Sequence, residues 1–275
     1  MTMLQSKHIT TFINLKVMMN NVLCGDNVQV MKQLPDEIVD LVVTSPPYDN
    51  LRKYNGSFDF DVNAVSKELF RVVKDGGVVV WVVSDATIDG SESGTSFRTA
   101  LTFLDNGWKL HDTMIFKKKN PIPQIYRKRY RNDFEFMFVF VKGKIQTHNP
   151  LTEECIHAGL ELKSTTYKNF STKEQTRNKK ANPVKDRKIR GNVWEYVVGK
   201  KKEDLDSKWH SAPFPYELAK DHILSWSNEG DVVLDPFAGS GTTLVAAKKL
   251  NRNFIGIDIN NDYVIKIKER LKNHE

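Results

Sequence analysis

The chain has 275 residues, of which 40% are hydrophobic and 27% charged. This ordinary globular composition excludes collagen-like, mucin-like and wholly disordered chains. The two cysteines, Cys24 and Cys155, are too few for a disulfide framework, and the absence of a metal-type cluster of cysteines and histidines predicts no metal site. The longest apolar run, Val78–Val83, is too short to cross a membrane, and no signal peptide is recognisable. A cytoplasmic location is therefore expected.

The formal net charge is +7, and one block of the chain carries all of the positive excess. Residues 117–202 hold 22 basic and 8 acidic residues, which gives +14, whereas the remainder holds 19 and 26, which gives −7. Aromatic residues interleave with these charges. Such a mixture is typical of a nucleic-acid surface, because each basic contact with a phosphate releases counterions. A solvated basic insert is the alternative interpretation.

Strands and helices alternate along the chain, which predicts an α/β fold: a mostly parallel sheet with helices on both faces. A short β-branched run, Val39–Thr44, predicts a buried strand that leads into a loop at Ser45. The other predicted strands are 78–83, 111–116, 134–141, 231–235 and 254–258. The predicted helices are 62–73, with a turn at 74–77, and 97–106, 216–225, 241–250 and 262–271.

The polar, basic segment from about residue 153 to 190 has little periodicity and predicts a loop-rich insert. We therefore expect a main domain formed by residues 1–143 and 192–275, with an insert at 144–191. A DNA-binding surface is expected over about residues 117–202. The side chains predicted to contact phosphates are Lys118, Arg127, Arg129, Arg131, Lys179, Lys180, Arg187, Lys188 and Arg190.

A glycine-rich turn follows the strand that ends at Asp235, and a second strand ends at Asp258. This pattern predicts a nucleotide-type pocket at the carboxyl ends of parallel strands, in which Asp258 accepts hydrogen bonds from ribose hydroxyls. Gly239 and Gly241 let the backbone approach a ligand. No phosphate-binding lysine follows these glycines, and Asp235 would attract an ammonium group, so the pattern favours S-adenosylmethionine. An ordinary turn between strand and helix is the alternative.

The segment Thr44-Ser-Pro-Pro-Tyr48 directly follows a buried strand in this prediction. Its two prolines restrict the backbone and hold the carbonyl groups of Ser45 and Pro46 outward. A free carbonyl beside a hydroxyl can accept hydrogen bonds from an amino group, and Tyr48 can stack on a planar ring. A flipped base with an exocyclic amine needs both features. Taken alone, the fragment is equally consistent with a plain loop.

TSPPY at 44–48 and DPFAGSGTT at 235–243 together resemble the motifs of amino-group DNA methyltransferases, and their order resembles the circularly permuted beta class of that family. Cys24-Gly25-Asp26 is similar to the family's adenine-side cofactor segment. The resemblance implies a Rossmann-like fold, S-adenosylmethionine as cofactor, and a target-recognition region in the basic insert. The implied catalytic residues are Ser45, Pro46, Pro47 and Tyr48. The implied cofactor-binding residues are Asp26, Phe214, Asp235, Phe237, Gly239, Gly241, Thr242, Thr243 and Asp258.

The resemblance implies site-specific methylation of an exocyclic amine on a flipped base in duplex DNA. In this family, serine at the position of Ser45 is typical of cytosine-N4 enzymes, and aspartate is typical of adenine-N6 enzymes. Cytosine N4 is therefore favoured, with adenine N6 as the alternative. An RNA or protein-glutamine methyltransferase is less favoured, because enzymes of that kind resemble chains with the cofactor motif upstream, whereas here it lies downstream at 235–243. An inactive nucleic-acid-binding module is less favoured because both motifs are intact. Duplex DNA is the expected partner, a cognate restriction endonuclease is a further candidate partner, and monomer and homodimer are both open.

Overall fold

The computed structural model describes residues 15–47, 60–121, 128–160, 184–199, 206–207, 209–210 and 215–274, with Thr172 and the backbone of 165–168 and 175–178. The chain divides into two compact units. The main unit runs up to Asn149 and resumes at Asn192, and the small unit is Pro150–Gly191. The sequence predicts the first boundary at residue 144, whereas the structure has it at Pro150.

Short strands dominate the described part of the chain. They are β1 (Asn21–Cys24), β2 (Val39–Thr44), β3 (Val73–Val83), β4 (Thr87–Ile88), β5 (Ser91–Glu92), β6 (Lys109–Lys118), β7 (Phe134–Val141), β8 (Thr152–Glu154), β9 (Thr165–Lys168), β10 (Gln175–Asn178), β11 (Arg187–Ile189), β12 (Val193–Tyr196), β13 (Val232–Asp235) and β14 (Asn253–Asp258). The helices are α1 (Asn27–Met31), α2 (Val62–Val72), α3 (Thr95–Asp105), α4 (Tyr216–Trp226), α5 (Thr242–Lys249) and α6 (Asn261–Lys272).

Eight of these strands form one sheet in the order β1-β14-β13-β2-β3-β7-β6-β12. The first five are parallel to one another, β7 is antiparallel to both of its neighbours, and β12 is parallel to β6. The central strands are apolar and β-branched because both of their faces are covered. Val42, Val79 and Leu234 are fully buried there.

Helices cover both faces of the sheet, as neighbouring residues of β7 show. Phe140 stacks on Phe103 of α3, with ring centroids 4.4 Å apart. Met137 points to the opposite face, where its sulfur lies 3.2 Å from Nε2 of His222 in α4. The predicted α/β fold with a mostly parallel sheet is therefore confirmed.

The predicted helices and strands of the main unit are present, with one instructive difference in β3. The sequence predicts a turn at 74–77 before a strand at 78–83, whereas β3 begins at Val73. Val73 already pairs with Val39, and Val78 pairs with Leu41, so the four residues between them form a bulge opposite Asp40. Gly76 has a φ of +80°, which suits glycine, and it donates its N–H to the carbonyl of Lys142 at 2.7 Å.

The small unit contains more regular structure than the loop-rich insert that the sequence predicts. Two antiparallel strand pairs form within it, β8 with β11 and β9 with β10. Their strands are only three or four residues long and carry mixed polar residues, so they leave no periodic signal in the sequence.

Candidate functional site

A cavity of about 320 Å³ opens where the carboxyl ends of β1, β2, β13 and β14 meet. Ligands of open α/β sheets bind at this edge, and the volume suits a small organic molecule. Each of the four strands ends in, or is followed by, residues that are predicted to act in the site and that line the cavity. These wall residues are Asp26, Ser45, Pro47, Phe237, Gly239 and Asp258.

Asp258, at the end of β14, connects two loops of the cavity wall. Its two carboxylate oxygens accept the backbone N–H groups of Gly239 and Asn260, each at 2.8 Å. Burial raises the pKa of Asp258, and these two hydrogen bonds oppose that shift because they favour the ionised form. The carboxylate is thus fixed in orientation, while its remaining lone pairs can accept hydrogen bonds from a ligand.

Gly239 is a position where a side chain would obstruct the site. Its φ of +53° is in the left-handed region, and a Cβ there would lie 3.0 Å from Nε2 of His210. The ring of His210 also packs against Tyr263, with centroids 5.0 Å apart. His210 and Tyr263 both line the cavity.

An aromatic cluster forms another side of the cavity. Phe237 meets Phe60 edge to face, with ring centroids 4.8 Å apart, and lies 5.9 Å from the buried Trp81 of β3. Packing against the core therefore fixes the Phe237 ring at the cavity wall. The first turn of α1 completes this wall, with Asp26 as the N-cap of the helix, where its carboxylate accepts the N–H of Gln29.

Asp235 lies behind the cavity wall and joins two loops. It is 1% exposed, and its Oδ1 accepts the hydroxyl of Thr44 at 2.7 Å and the N–H of Phe237 at 3.1 Å. Thr44 directly precedes Ser45, so one carboxylate couples the end of β2 to the loop after β13. The structure does not bring Asp235 to the cavity, and its predicted contact with an ammonium group stays a prediction.

Three further predicted cofactor residues also lie behind the wall. Gly241 is the N-cap of α5 with a φ of +75°, and a Cβ there would meet Ile267 at 2.6 Å. Thr243 donates its hydroxyl to the carbonyl of Val43 in β2 at 3.1 Å. Thr242 is buried beside Arg270, whose guanidinium donates to the Ser240 carbonyl at 2.7 Å. In this structure these residues hold the glycine-rich turn in place.

Burial raises the pKa of Asp235 to about 6, despite hydrogen bonds that favour its charged form. The folded chain therefore binds the proton of this carboxyl group more tightly than the unfolded chain does, because the pKa of the group in the unfolded chain is near 3.8. The contribution of Asp235 to the free energy of unfolding should fall as the pH rises from about 4 to 6, by about 3 kcal/mol in all.

Asp235→Asn should remove the loss of stability that comes from burying an ionised carboxylate. The amide oxygen can still accept the hydrogen bonds from Thr44 and Phe237. We expect the variant to be more stable than the parent at pH 8 and equally stable at pH 4, as measured by chemical denaturation. Asp105→Asn, an exposed change, is the control. A variant that is less stable than the parent at pH 8 would contradict this account of the buried carboxylate.

The described side chains that were predicted to bind phosphates mostly have partners within their own unit. Lys118 forms an ion pair with Glu135 at 2.6 Å, and Lys188 forms one with Glu153 at 3.1 Å. Arg187 donates to both oxygens of Thr152. The guanidinium of Arg129 lies 3.9 Å from the carboxylate of Glu92 and donates to the Gly90 carbonyl. The guanidinium of Arg131 lies 3.9 Å from the carboxylate of Asp133. The backbone N–H of Arg190 donates to the Leu151 carbonyl. Their role at DNA stays a prediction.

Five predicted residues lie outside the described residues: Tyr48, Arg127, Lys179, Lys180 and Phe214. Pro46 is described and is buried beside the cavity-lining Ser45 and Pro47.

The structure adds cavity residues that the motifs do not reveal. Phe60, Tyr263 and Asn27 line the wall, and Asn27 donates its side-chain N–H to the Pro236 carbonyl at 3.3 Å. Asn27 directly follows the predicted Cys24-Gly25-Asp26 segment, which is the one available sequence signal. In the described part of the chain, no cluster of side chains could hold a metal ion, and no helix is long and apolar enough to span a membrane.

Residues 39–269 match the N6_N4_Mtase family, which is described as DNA methylase. The chain belongs to this family. It is thus a DNA methylase of the class that modifies exocyclic amino groups at N4 or N6.

Relatives span nearly the whole chain. It is 47% identical to the orphan methyltransferase M.BamHII of Bacillus amyloliquefaciens, over 88% of this chain and 92% of that protein. It is 28% identical to the type II methyltransferase M.SmaI of Serratia marcescens, over 91% and 90%. Among solved structures, the PvuII cytosine-N4-specific DNA methyltransferase has a TM-score of 0.67 at 19% identity, covering 90% of this chain and 85% of that one. The M1.HpyAVI–SAM complex has a TM-score of 0.61 at 25% identity, covering 91% and 98%.

Proposed function

We propose that this chain transfers a methyl group from S-adenosylmethionine to the exocyclic N4 of a flipped cytosine in duplex DNA. The observation that carries the proposal is the convergence of Ser45 and Asp258 on one cavity. Ser45 belongs to the segment predicted to hold the target amine, and Asp258 belongs to the segment predicted to hold the cofactor. A methyl transfer needs both groups at one place.

The residues of the cavity fit the cofactor. Asp258 offers oriented carboxylate lone pairs to ribose hydroxyls, and Phe237 offers an aromatic surface to a planar ring. Gly239 leaves room for close approach of a ligand to the backbone. M1.HpyAVI, a protein of similar fold, has been solved in complex with the same cofactor. S-Adenosylmethionine supplies an electrophilic methyl group when it is bound.

We assign the residues after β2 to the activation of the target nitrogen. The amine of cytosine is a poor nucleophile because its lone pair is delocalised into the ring. We assign Ser45 Oγ and the Pro46 carbonyl oxygen as acceptors for its two N–H groups. Such hydrogen bonds favour a tetrahedral nitrogen with a localised lone pair, and the acceptors are fixed before the reaction by the prolines and by the Thr44–Asp235 bond at 2.7 Å. Tyr48 is assigned to stacking on the base.

The choice of cytosine rests on Ser45. A hydroxyl can donate as well as accept a hydrogen bond, so it can adapt to the amine edge of cytosine, whereas aspartate only accepts. The basic residues between 117 and 202 are assigned to the DNA backbone. The names of the relatives, an orphan methyltransferase and a type II methyltransferase, support a role in DNA modification with or without a cognate endonuclease.

Expression in a bacterial host that lacks DNA methylases of its own tests the target base. Nucleosides from the host genome should contain N4-methyldeoxycytidine, and a host carrying the empty vector should contain none. N6-Methyldeoxyadenosine in its place would overturn the assignment to cytosine while leaving the methylase activity intact.

A further inference from the structure

The short hairpin of β4 and β5 follows the sheet at the same edge as the cavity. Trp81 of β3 pairs with Thr44, the residue before Ser45, and β3 ends two residues later at Val83. The two strands are parallel, and neighbouring strands lie about 4.8 Å apart. The chain therefore leaves β3 beside the loop that contains Ser45. β4 begins six residues after Trp81, which is at most about 20 Å of chain.

The base of this hairpin is fixed to the end of β3 and to the start of α3. Oδ1 of Asp85 accepts the hydroxyl of Ser93 at 3.1 Å and the backbone N–H of Ser96 at 2.9 Å. Oδ2 of the same carboxylate accepts the hydroxyl of Ser96. The backbone N–H of Ser93 donates to the Ala86 carbonyl at 2.9 Å, which closes the hairpin. The orientation of the hairpin on the main unit is thus set by several hydrogen bonds.

The tip of the hairpin is a tight turn at Asp89-Gly90. The φ angles of these two residues are +49° and +82°, as a type I′ turn requires. The guanidinium of Arg129 supports the turn, because it donates to the Gly90 carbonyl and lies 3.9 Å from the carboxylate of Glu92. Ile88, directly before the turn, is 56% exposed. A well-anchored hairpin therefore presents an apolar side chain to solvent.

The fold and the cofactor cavity do not account for this exposed tip. The described residues that line the cavity include none from 85–93. β4 and β5 are two residues long, and all four of their residues are exposed. A pair of strands this short has little stability of its own, so the contacts of Asp85 and Arg129 are needed to maintain it. We conclude that the anchored tip serves a contact outside the chain.

We propose that this hairpin enters the duplex next to the target nucleotide, where Ile88 acts as an apolar wedge that helps to extrude the target base. The inference rests on the proposed function, because a duplex whose base reaches Ser45 must lie over this edge of the sheet. About 20 Å of chain corresponds to about six base steps of 3.4 Å, so the same duplex is within reach of the tip. An apolar side chain inserted between bases unstacks them, and unstacking is part of the cost of extrusion.

The charge of the hairpin favours contact with bases over contact with phosphates. Residues 85–93 include three acidic residues and no basic one. Phosphates would repel Asp89 at the tip, whereas a carboxylate in the major groove can accept a hydrogen bond from the amino group of cytosine. The general affinity for DNA is left to the basic residues of 117–202. The hairpin is therefore suited to opening the duplex and not to holding its backbone.

Methyl transfer to two duplexes tests the wedge. Both carry the site that is found methylated in the genome of the expression host, with the target base either paired or opposite an abasic position. Ile88→Ala should lower kcat/KM about 10-fold on the paired duplex and about twofold at most on the other, whose target base is already unpaired. Ile265→Ala, at a 49% exposed isoleucine of α6, is the matched control and should keep the parent value on both. A loss of equal size on both duplexes, or no loss on the paired one, overturns the proposal.

Photocrosslinking gives a test that does not depend on catalysis. A benzophenone amino acid incorporated in place of Ile88 should crosslink to bases that flank the target, whereas the same group in place of Ile265 should give only background. Background yield at position 88 overturns the proposal and leaves the tip to a protein partner. Unchanged thermal unfolding of the variants shows that the fold is intact. A parent that methylates neither duplex contradicts the proposed function itself, whereas an active parent with an unaffected Ile88→Ala variant contradicts the wedge alone.

Discussion

Replacing Ser45 with alanine is expected to lower the turnover number for methyl transfer by about 10²–10³-fold while leaving the affinity for S-adenosylmethionine within about threefold of the parent. The change removes an acceptor for an amine N–H at the stage when charge develops on the nitrogen. Ser45 lines the cavity, and among the described residues the contacts that shape the cofactor wall come from other side chains, Asp258 and Phe237.

Single-turnover kinetics with saturating cofactor and DNA would measure this loss, and equilibrium titration would measure cofactor binding. Ser84→Ala is the matched control, because Ser84 follows the neighbouring strand β3 and is absent from the cavity wall. It should keep the turnover number of the parent. A Ser45→Ala enzyme with full turnover would remove the hydroxyl from the proposed mechanism.

Asp258→Ala is expected to weaken S-adenosylmethionine binding by about 100-fold, with a smaller effect on turnover once the cofactor is saturating. Hydrogen bonds to a charged acceptor contribute about 1.5–3 kcal/mol each, and the variant loses those to the ligand. It also releases the N–H groups of Gly239 and Asn260, which Asp258 holds at 2.8 Å, so the wall itself loosens.

Isothermal titration calorimetry on the parent and the variant measures this effect. Asp262→Ala, four residues further along the chain and outside the cavity wall, is the control for a change in local charge. It should bind the cofactor as the parent does. Unchanged affinity in a folded Asp258→Ala protein would be incompatible with the assignment of this carboxylate to the ribose.

The strands and helices of the main unit could be predicted because their signals are local. Val39–Thr44 is an apolar, β-branched run with a proline stop, and the structure has a strand with those bounds. Gly107 ends α3 with a φ of +92°, as its place after a helical pattern predicts. The position of the cavity could also be predicted, because the two motifs at 44–48 and 235–243 each lie at the carboxyl end of a predicted strand.

The long-range contacts behind the cavity wall could not be predicted from the sequence, because they depend on which strands are neighbours in the sheet. The hydrogen bond between Thr44 and Asp235 joins residues 191 positions apart, and it exists because β2 and β13 are neighbours in the sheet. Asp235 makes this bond and is not among the residues that line the cavity, whereas a strand-end acid read from the sequence is assigned to the ligand. Arg270 reaches the glycine-rich turn from the last helix in the same way. Long-range pairing of this kind leaves no periodic or local signal.

The central claim is that Ser45 and the cofactor wall form one methyl-transfer site, and the most direct measurement follows the methyl group itself. Purified protein would be incubated with S-adenosylmethionine carrying a deuterated methyl group and with unmethylated duplex DNA, and the digested nucleosides would be analysed by mass spectrometry. The account predicts deuterated N4-methyldeoxycytidine with the parent and at least 100-fold less with Ser45→Ala. Equal amounts of label in the DNA from the two proteins would contradict it.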